Sequence, residues 1–343
     1  MKCGVGAYTK RLASSLAQFE DINVTVLTDA RASEATKVKG VDVLPVMDGW
    51  RLAKAIQVFG IIRKLKPDVM HIQYPTQGYS GRLPLRLPIL ARLMGKPCVQ
   101  TWHEPIPGGR GLWLAVGLSA LIRVKEDLMT NLPCATQMAI VGAKSYWIQG
   151  ASILPTANLS QNERLAIKHR YVDNRQKLMV YYGFVAPLKG IEALLEIVER
   201  TGIKLLLICD FQQENSYHRS LLEKIQAIGL DSKITITGFL PDDELACILA
   251  ASDVVAFPFR DGVRAWNTSV DGAIAQGVFV LATSTEIEGY KKEKNIYFVK
   301  PGNVEEMIMA IQKYAGCRVA SKSSVSEWRH IAEQHLSIYK SLI

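Results

Sequence analysis

The feature that most narrows the folds open to this chain is a change of hydrophobic period that recurs along it. In the first half, short apolar runs rich in branched residues fall at Val24–Thr28, Val41–Val46, Val69–Tyr74, Cys98–Trp102, Met138–Val141 and Ser152–Leu154. Helical stretches such as Arg51–Leu65 separate them. The second half repeats the scheme with Leu178–Phe184, Lys204–Cys209, Ile234–Phe239, Val254–Phe257, Val278–Ala282 and Ile296–Val299. Buried strands alternating with helices build parallel sheets covered on both faces. The expected fold is therefore α/β, with two Rossmann-like domains, and 343 residues suffice for two cores. Residues 156–176 are polar and carry no strand pattern, so the junction is placed there. This gives an N-terminal domain over 1–160, a C-terminal domain over 161–322 and a closing helix over 323–343. In that helix Trp328, Ile331, His335, Ile338, Tyr339 and Leu342 share roughly one stripe.

The stretch 258–277, PFRDGVRAWNTSVDGAIAQG, follows a buried strand and turns helical at Asn267-Thr268-Ser269, residue types that favour helix N-caps. Such a join aims backbone N–H groups and the positive end of a helix dipole beyond the strand, which suits a phosphate. Arg260 and Arg264 add charge beside it. A βα loop with solvated arginines is the competing reading.

Together with YYGFVAPLKGIEALLEIVE and ITGFLPDDELACILAASDVVAFPF, this stretch resembles the donor half of GT-B glycosyltransferases, most closely the retaining family 4. The resemblance implies two domains facing across a crevice, with the last helix crossing back to the first. The N-terminal domain would meet a lipid-linked or polysaccharide acceptor, and the C-terminal domain would bind a nucleotide-sugar donor. Lys189-Gly190 matches the family's phosphate-binding Lys-Gly, and Asp271, six residues before Gly277, its ribose-binding acid. The family's first acidic position is Val263 here, and Asp261 is the nearest acid. Phe184 follows Gly183 where the family places an Arg, a role for which Arg260 or Arg264 could substitute. His103, at the end of VQTWHEP, matches a His near the donor sugar, and Glu104 beside it could act as a base. His71 reads as a core histidine.

GVGAYTKRLASSLAQF reads as a glycine turn opening an amphipathic helix, with Tyr8, Leu12, Leu16 and Phe19 on one face and Gly6 toward the donor. The family places a strand directly before this turn. Only Met1-Lys2-Cys3 precede Gly4, so the true start is expected upstream, with a central gap in the sheet as the result. The site expected from all this takes His103, Lys189 and Asp271 as catalytic, and Gly6, Lys189, Arg260, Asp261, Arg264, Asn267, Thr268, Ser269 and Asp271 as donor-binding.

The chain has no Asp-x-Asp pair, so the diphosphate charge is expected to be met by Lys189, Arg264 and helix N–H groups rather than by a metal, and no cofactor is expected. The longest apolar run, Leu112–Ile122, falls far short of the roughly 20 residues of a spanning helix, and no leader opens the chain. A cytoplasmic protein follows as the expectation. Six cysteines without a CxxC pair read as reduced thiols. Charge is unevenly shared: residues 1–150 carry 19 Lys and Arg against 10 Asp and Glu, which accounts for the whole net +9. That points to an anionic partner of the first domain, and with no nucleic-acid-binding motif a peripheral contact with the inner face of the cell membrane is expected. Two other readings stay open, a nucleotide-sugar epimerase of the same fold and a non-catalytic nucleotide-sugar-binding relative.

Overall fold

The computed structural model of the chain describes residues 4–35, 38–74, 79–103, 118–123, 144–173, 175–263 and 267–343. They form two compact units, one of Met1–Gly150 with Val325–Ile343, the other of Ala151–Ser324.

The first unit opens with helix α1 (Gly4–Leu16), which buries Tyr8, Leu12 and Leu16 at a spacing of four, so the stripe read from the sequence is its core face. Gly4-Val5-Gly6 forms its first helical turn and not a separate glycine turn. Glycine is tolerated there because the first four amides of a helix have no intrahelical acceptor to lose. Strands β1 (Val24–Asp29) and β2 (Val41–Met47) pair in parallel as one two-stranded sheet. Helix α2 (Ala55–Leu65) ends at Lys66, which takes a left-handed conformation ahead of Pro67. Then come β3 (Met70–Tyr74), α3 (Leu87–Leu93), β4 (Cys98–Trp102), β5 (Ala120–Arg123) and β6 (Ser145–Trp147). Strands β3 to β6 make a parallel four-stranded sheet in sequence order. Pro88 stands in the first turn of α3, where its missing N–H is harmless.

Two strand expectations, and one strand outside them, need comment. Met138–Val141 lies outside the described residues. Ser152–Leu154 is not a strand: the Ser152 hydroxyl accepts from the Leu154 amide and lies within bonding distance of the Leu154 carbonyl, both at 3.2 Å, a local closure that competes with a ladder. Strand β5 occupies the tail of the apolar run Leu112–Ile122, directly after Ser119.

The second unit begins with α4 (Gln161–Lys168), inside the stretch that looked featureless. Ser160 and Glu163 close a capping box at its start. There follow β7 (Leu178–Tyr182), α5 (Ile191–Thr201), β8 (Lys204–Ile208), α6 (Ser216–Ala227), β9 (Ile234–Ile236), α7 (Asp242–Ala251) and β10 (Val254–Phe257). The unit continues with α8 (Thr268–Ala275), β11 (Val280–Thr283), β12 (Gly289–Lys291), β13 (Ile296–Val299) and α9 (Val304–Tyr314). The sheet order is β12-β13-β11-β10-β7-β8-β9, parallel except for β12. Every residue of β7, β10 and β11 is buried, which is why they read as unbroken apolar runs. Asp253 fastens the start of β7: its carboxylate accepts from the Leu178 amide at 2.6 Å and pairs with Lys168 of α4 at 2.7 Å.

The chain closes with α10 (Val325–Lys340), which belongs to the first unit and packs against α1. Trp328 meets the Tyr8 ring edge-on at 5.1 Å, and the predicted stripe Trp328, Ile331, His335 and Ile338 is buried.

Candidate functional site

In the second unit the chain enters the sheet at an interior strand, β7, and moves outward through β8 to β9. It then crosses back and moves outward the other way through β10, β11 and β13. The direction of winding reverses between β7 and β10. Loops leaving the carboxyl ends of two such strands diverge, and the space between them is where open α/β sheets hold ligands.

The β7 loop is built for close approach. Gly183 takes a φ of +131°, and the Tyr181 hydroxyl donates to the Phe184 carbonyl at 2.7 Å. His218, buried on α6, donates from Nε2 to the Val185 carbonyl and accepts the Gln212 amide at Nδ1, tying the β7 and β8 loops together. A single turn, Pro187–Lys189, ends at Gly190 with a φ of +65° and leads into α5. The β10 loop lies directly against it: a Cβ on Gly190 would stand 2.1 Å from the Pro258 carbonyl oxygen, and the Arg260 amide donates to the Leu188 carbonyl at 2.9 Å.

Lys189 is thereby held with its ammonium 4.0 Å from the centre of the Phe259 ring, a cation–π contact that fixes the charge between the two loops. Arg260 is largely exposed and pairs with Glu192 in the first turn of α5 at 3.0 Å. The same Glu192 oxygen, Oε1, accepts from the Tyr217 hydroxyl at 3.0 Å, while its Oε2 is buried with no hydrogen-bond partner among the described residues. Asp261 is exposed. Arg264 lies outside the described residues.

Helix α8 starts where the N-cap residue types placed it, with Asn267 at the cap and Thr268, Ser269 and Asp271 in its first turn. Its position is set from β7. The Tyr182 hydroxyl donates to the Ser269 carbonyl, and a Cβ on Gly272 would come within 2.5 Å of that hydroxyl oxygen. Burial, with the nearby Asp271 carboxylate adding to it, raises the Tyr182 phenol well above its ordinary pKa, so it stays a neutral donor. The N-termini of α5 and α8 and the Lys189 ammonium therefore share one switch point, an arrangement that attracts an anion.

The predicted residues of the first unit are described within that unit. Gly6 is exposed on α1. His103 follows β4, its amide donating to the Tyr74 carbonyl at 2.8 Å and its Nε2 lying 2.8 Å from Gln73 Oε1. Tyr8 meets its ring edge-on at 4.9 Å. Glu104 lies outside the described residues. His71 is held among side chains, as expected of a core histidine, and burial lowers its pKa well below the ordinary value.

Sequence reading passed over Glu192, Phe259, Tyr182 and Gly272. Glu192 stands two residues after Lys189-Gly190, where an acid in a first helical turn was a usable signal. Tyr182 and Gly272 are 90 positions apart in sequence, and no pattern links them.

Comparison with known proteins agrees with this layout. The family model described as "Glycosyl transferases group 1" matches residues 176–316, and that described as "Glycosyltransferase Family 4" matches residues 3–128. A glycosyltransferase from Rickettsia africae superposes with a TM-score of 0.73 at 15% identity, covering 99% of this chain and 95% of that one. Sucrose-phosphate synthase from Thermosynechococcus elongatus gives 0.70 at 16% identity, covering 99% and 93%. Anabaena HepE, solved in complex with UDP-glucose, gives 0.64 at 16% identity, covering 98% and 94%. No curated protein matches the sequence.

Proposed function

We propose, from the premise that this chain belongs to the group 1 and family 4 glycosyltransferases, that its second unit binds the diphosphate of a nucleotide-sugar donor at the β7/β10 switch point. The observation that carries this reading is the convergence there of Lys189 with the first turns of α5 and α8. Lys189 and the α8 amides Thr268 and Ser269 meet the phosphate charge as the sugar departs, without an Asp-x-Asp metal pair. Asp271, near the start of α8, takes the ribose hydroxyls. His103 acts at the sugar, which is transferred with retention of its anomeric configuration. HepE bound to UDP-glucose supports a UDP-sugar as the first donor to test.

The acceptor is a lipid-linked or glycan intermediate, met at an anionic membrane surface by the first unit. Support comes from its surface. Arg82, Arg86 and Arg92 around α3 are exposed beside Leu93. One face of α2 carries Ile56, 84% exposed, with Phe59 and Arg63. No helix among the described residues is long and apolar enough to cross a membrane, so the contact proposed is peripheral.

Calorimetry with UDP, GDP and ADP tests the central claim. Wild type should bind one of them, and Lys189→Ala should weaken that binding by about 1.5 to 3 kcal/mol, the range of a charge-assisted hydrogen bond. Equal affinities for wild type and variant would remove Lys189 from the site. Conversion of UDP-N-acetylglucosamine to its epimer with no acceptor present would favour the epimerase reading instead.

A further inference from the structure

Three crossovers of the second unit meet on one carboxylate oxygen. Glu192, in the first turn of α5, accepts at Oε1 from the Arg260 guanidinium of the β10 loop at 3.0 Å and from the Tyr217 hydroxyl of α6 at 3.0 Å. The Arg260 stem passes the start of α5, since its Cγ stands 3.7 Å from the place a Cβ would take on Gly190, the N-cap of that helix. A cation beside the switch point is thus neutralised by an acid, at a place that otherwise attracts an anion. Lys189 is the only charged residue between Gly183 and Gly190. A nucleoside diphosphate carries more negative charge than one ammonium balances.

The Arg260–Glu192 pair has the properties of a contact that opens. The side chains are 55% and 27% exposed, so solvent screens the pair and holds its strength low. Its one bond to Glu192 is the only side-chain hydrogen bond that Arg260 makes among the described residues, and the remaining N–H groups of the guanidinium can serve a phosphate. Glu192 keeps a partner without Arg260. Burial, with the Glu192 charge adding to it, raises the Tyr217 phenol above its ordinary pKa, so Tyr217 stays a neutral donor to Oε1.

We propose that Glu192 is the resting counter-ion of Arg260 and that the donor diphosphate displaces it, so that Arg260 joins Lys189 as the second cation on the phosphates. This competition rests on the donor reading given above. Glu192 then lowers the affinity for the diphosphate, and by taking Arg260 back it favours release of the nucleoside diphosphate after transfer.

Calorimetry on Glu192→Gln, Arg260→Ala and the double variant tests the inference, with whichever of UDP, GDP and ADP the wild type binds. Glutamine keeps a carbonyl oxygen for the Tyr217 hydroxyl and removes the charge. Glu192→Gln should tighten binding about two- to fivefold, the scale of an exposed ion pair. Arg260→Ala should weaken binding, and in its background the gain from Glu192→Gln should vanish. The corresponding nucleoside, which has no phosphate, should bind wild type and Glu192→Gln alike. Thermal melts read the folding of each variant. An equal gain with and without Arg260 means that Glu192 only repels the anion, and no gain, or a loss, in Glu192→Gln means that the pair merely fastens the loops; either result overturns the proposal. Binding that Lys189→Ala weakens while Glu192→Gln leaves it unchanged removes this inference alone. A wild type that binds none of the three diphosphates, or a Lys189→Ala protein of wild-type affinity, removes the donor reading and the competition with it.

Discussion

Gly190 and Gly272 are two glycines whose missing side chains do different work. At Gly190 the left-handed backbone and the Pro258 carbonyl both exclude a Cβ, so Gly190→Ala should part the β7 and β10 loops. Nucleotide affinity and thermal stability should fall together, the latter by about 1 to 3 kcal/mol. Gly272→Ala meets the tip of Tyr182 at 2.5 Å and the side chain of Leu154 at 3.1 Å, and Tyr182→Phe, which removes the nearer clashing atom, should recover part of its loss in a urea melt. A double variant no more stable than Gly272→Ala would place the clash elsewhere. His335 provides a test with a defined sign. Burial lowers its pKa to about 4, with the Nδ1–H donated to the Ile331 carbonyl and Nε2 buried without a hydrogen-bond partner among the described residues. The unfolded chain therefore takes up this proton at a higher pH than the folded protein. The stability that neutral His335 lends is complete above about pH 6.5 and is lost as the pH falls toward about 4, an effect of ~3 kcal/mol. His335→Leu should reduce the acid loss by that order, with His71, also held neutral by burial, still contributing.

Among the elements, β1 and β3 stand apart. Each has one strand neighbour among the described residues, β2 and β4 respectively, and most of their side chains are only half-buried, whereas all five residues of β4 are buried. Yet these strands share one apolar cluster with α2 and α3, in which Leu27 and Met47 pack with Ile72 and Val58. Such edges leave a row of amides without a ladder partner. Hydrogen exchange should be faster in β1 and β3 than in β4 and the central strands β7 and β10, and equal protection would show that both edges are covered in solution. Helix α4 carries a different lesson, since its capping box, Ser160-x-x-Glu163, is a helix-start signal in a stretch that has no strand pattern.

For the whole molecule the uneven charge is the property with the widest reach. The first 150 residues hold the entire net +9, and the later 193 residues balance at 22 basic and 22 acidic. Each Lys or Arg near an anionic bilayer contributes about 1 kcal/mol, so a handful facing one way suffices for reversible attachment. Co-sedimentation should require phosphatidylserine vesicles, fall as salt is raised, and weaken when Arg82, Arg86 and Arg92 are together changed to Glu. Equal binding to neutral vesicles would assign the charge another purpose.

Sequence alone determined the alternation of strand and helix, the two-unit plan, the core stripes of α1 and α10, and the placement of Lys189 and the α8 cap after buried strands. These are local: each follows from the period of apolar residues or from a cap a few positions away. The pairing of Lys189 with Phe259, of Arg260 with Glu192, of Tyr182 with the first turn of α8, and of Tyr339 with the histidines of β3 and β4 was decided by tertiary structure. Each joins residues distant in the chain, and parallel crossovers bring such residues together only when the sheet order is set, which no local period encodes.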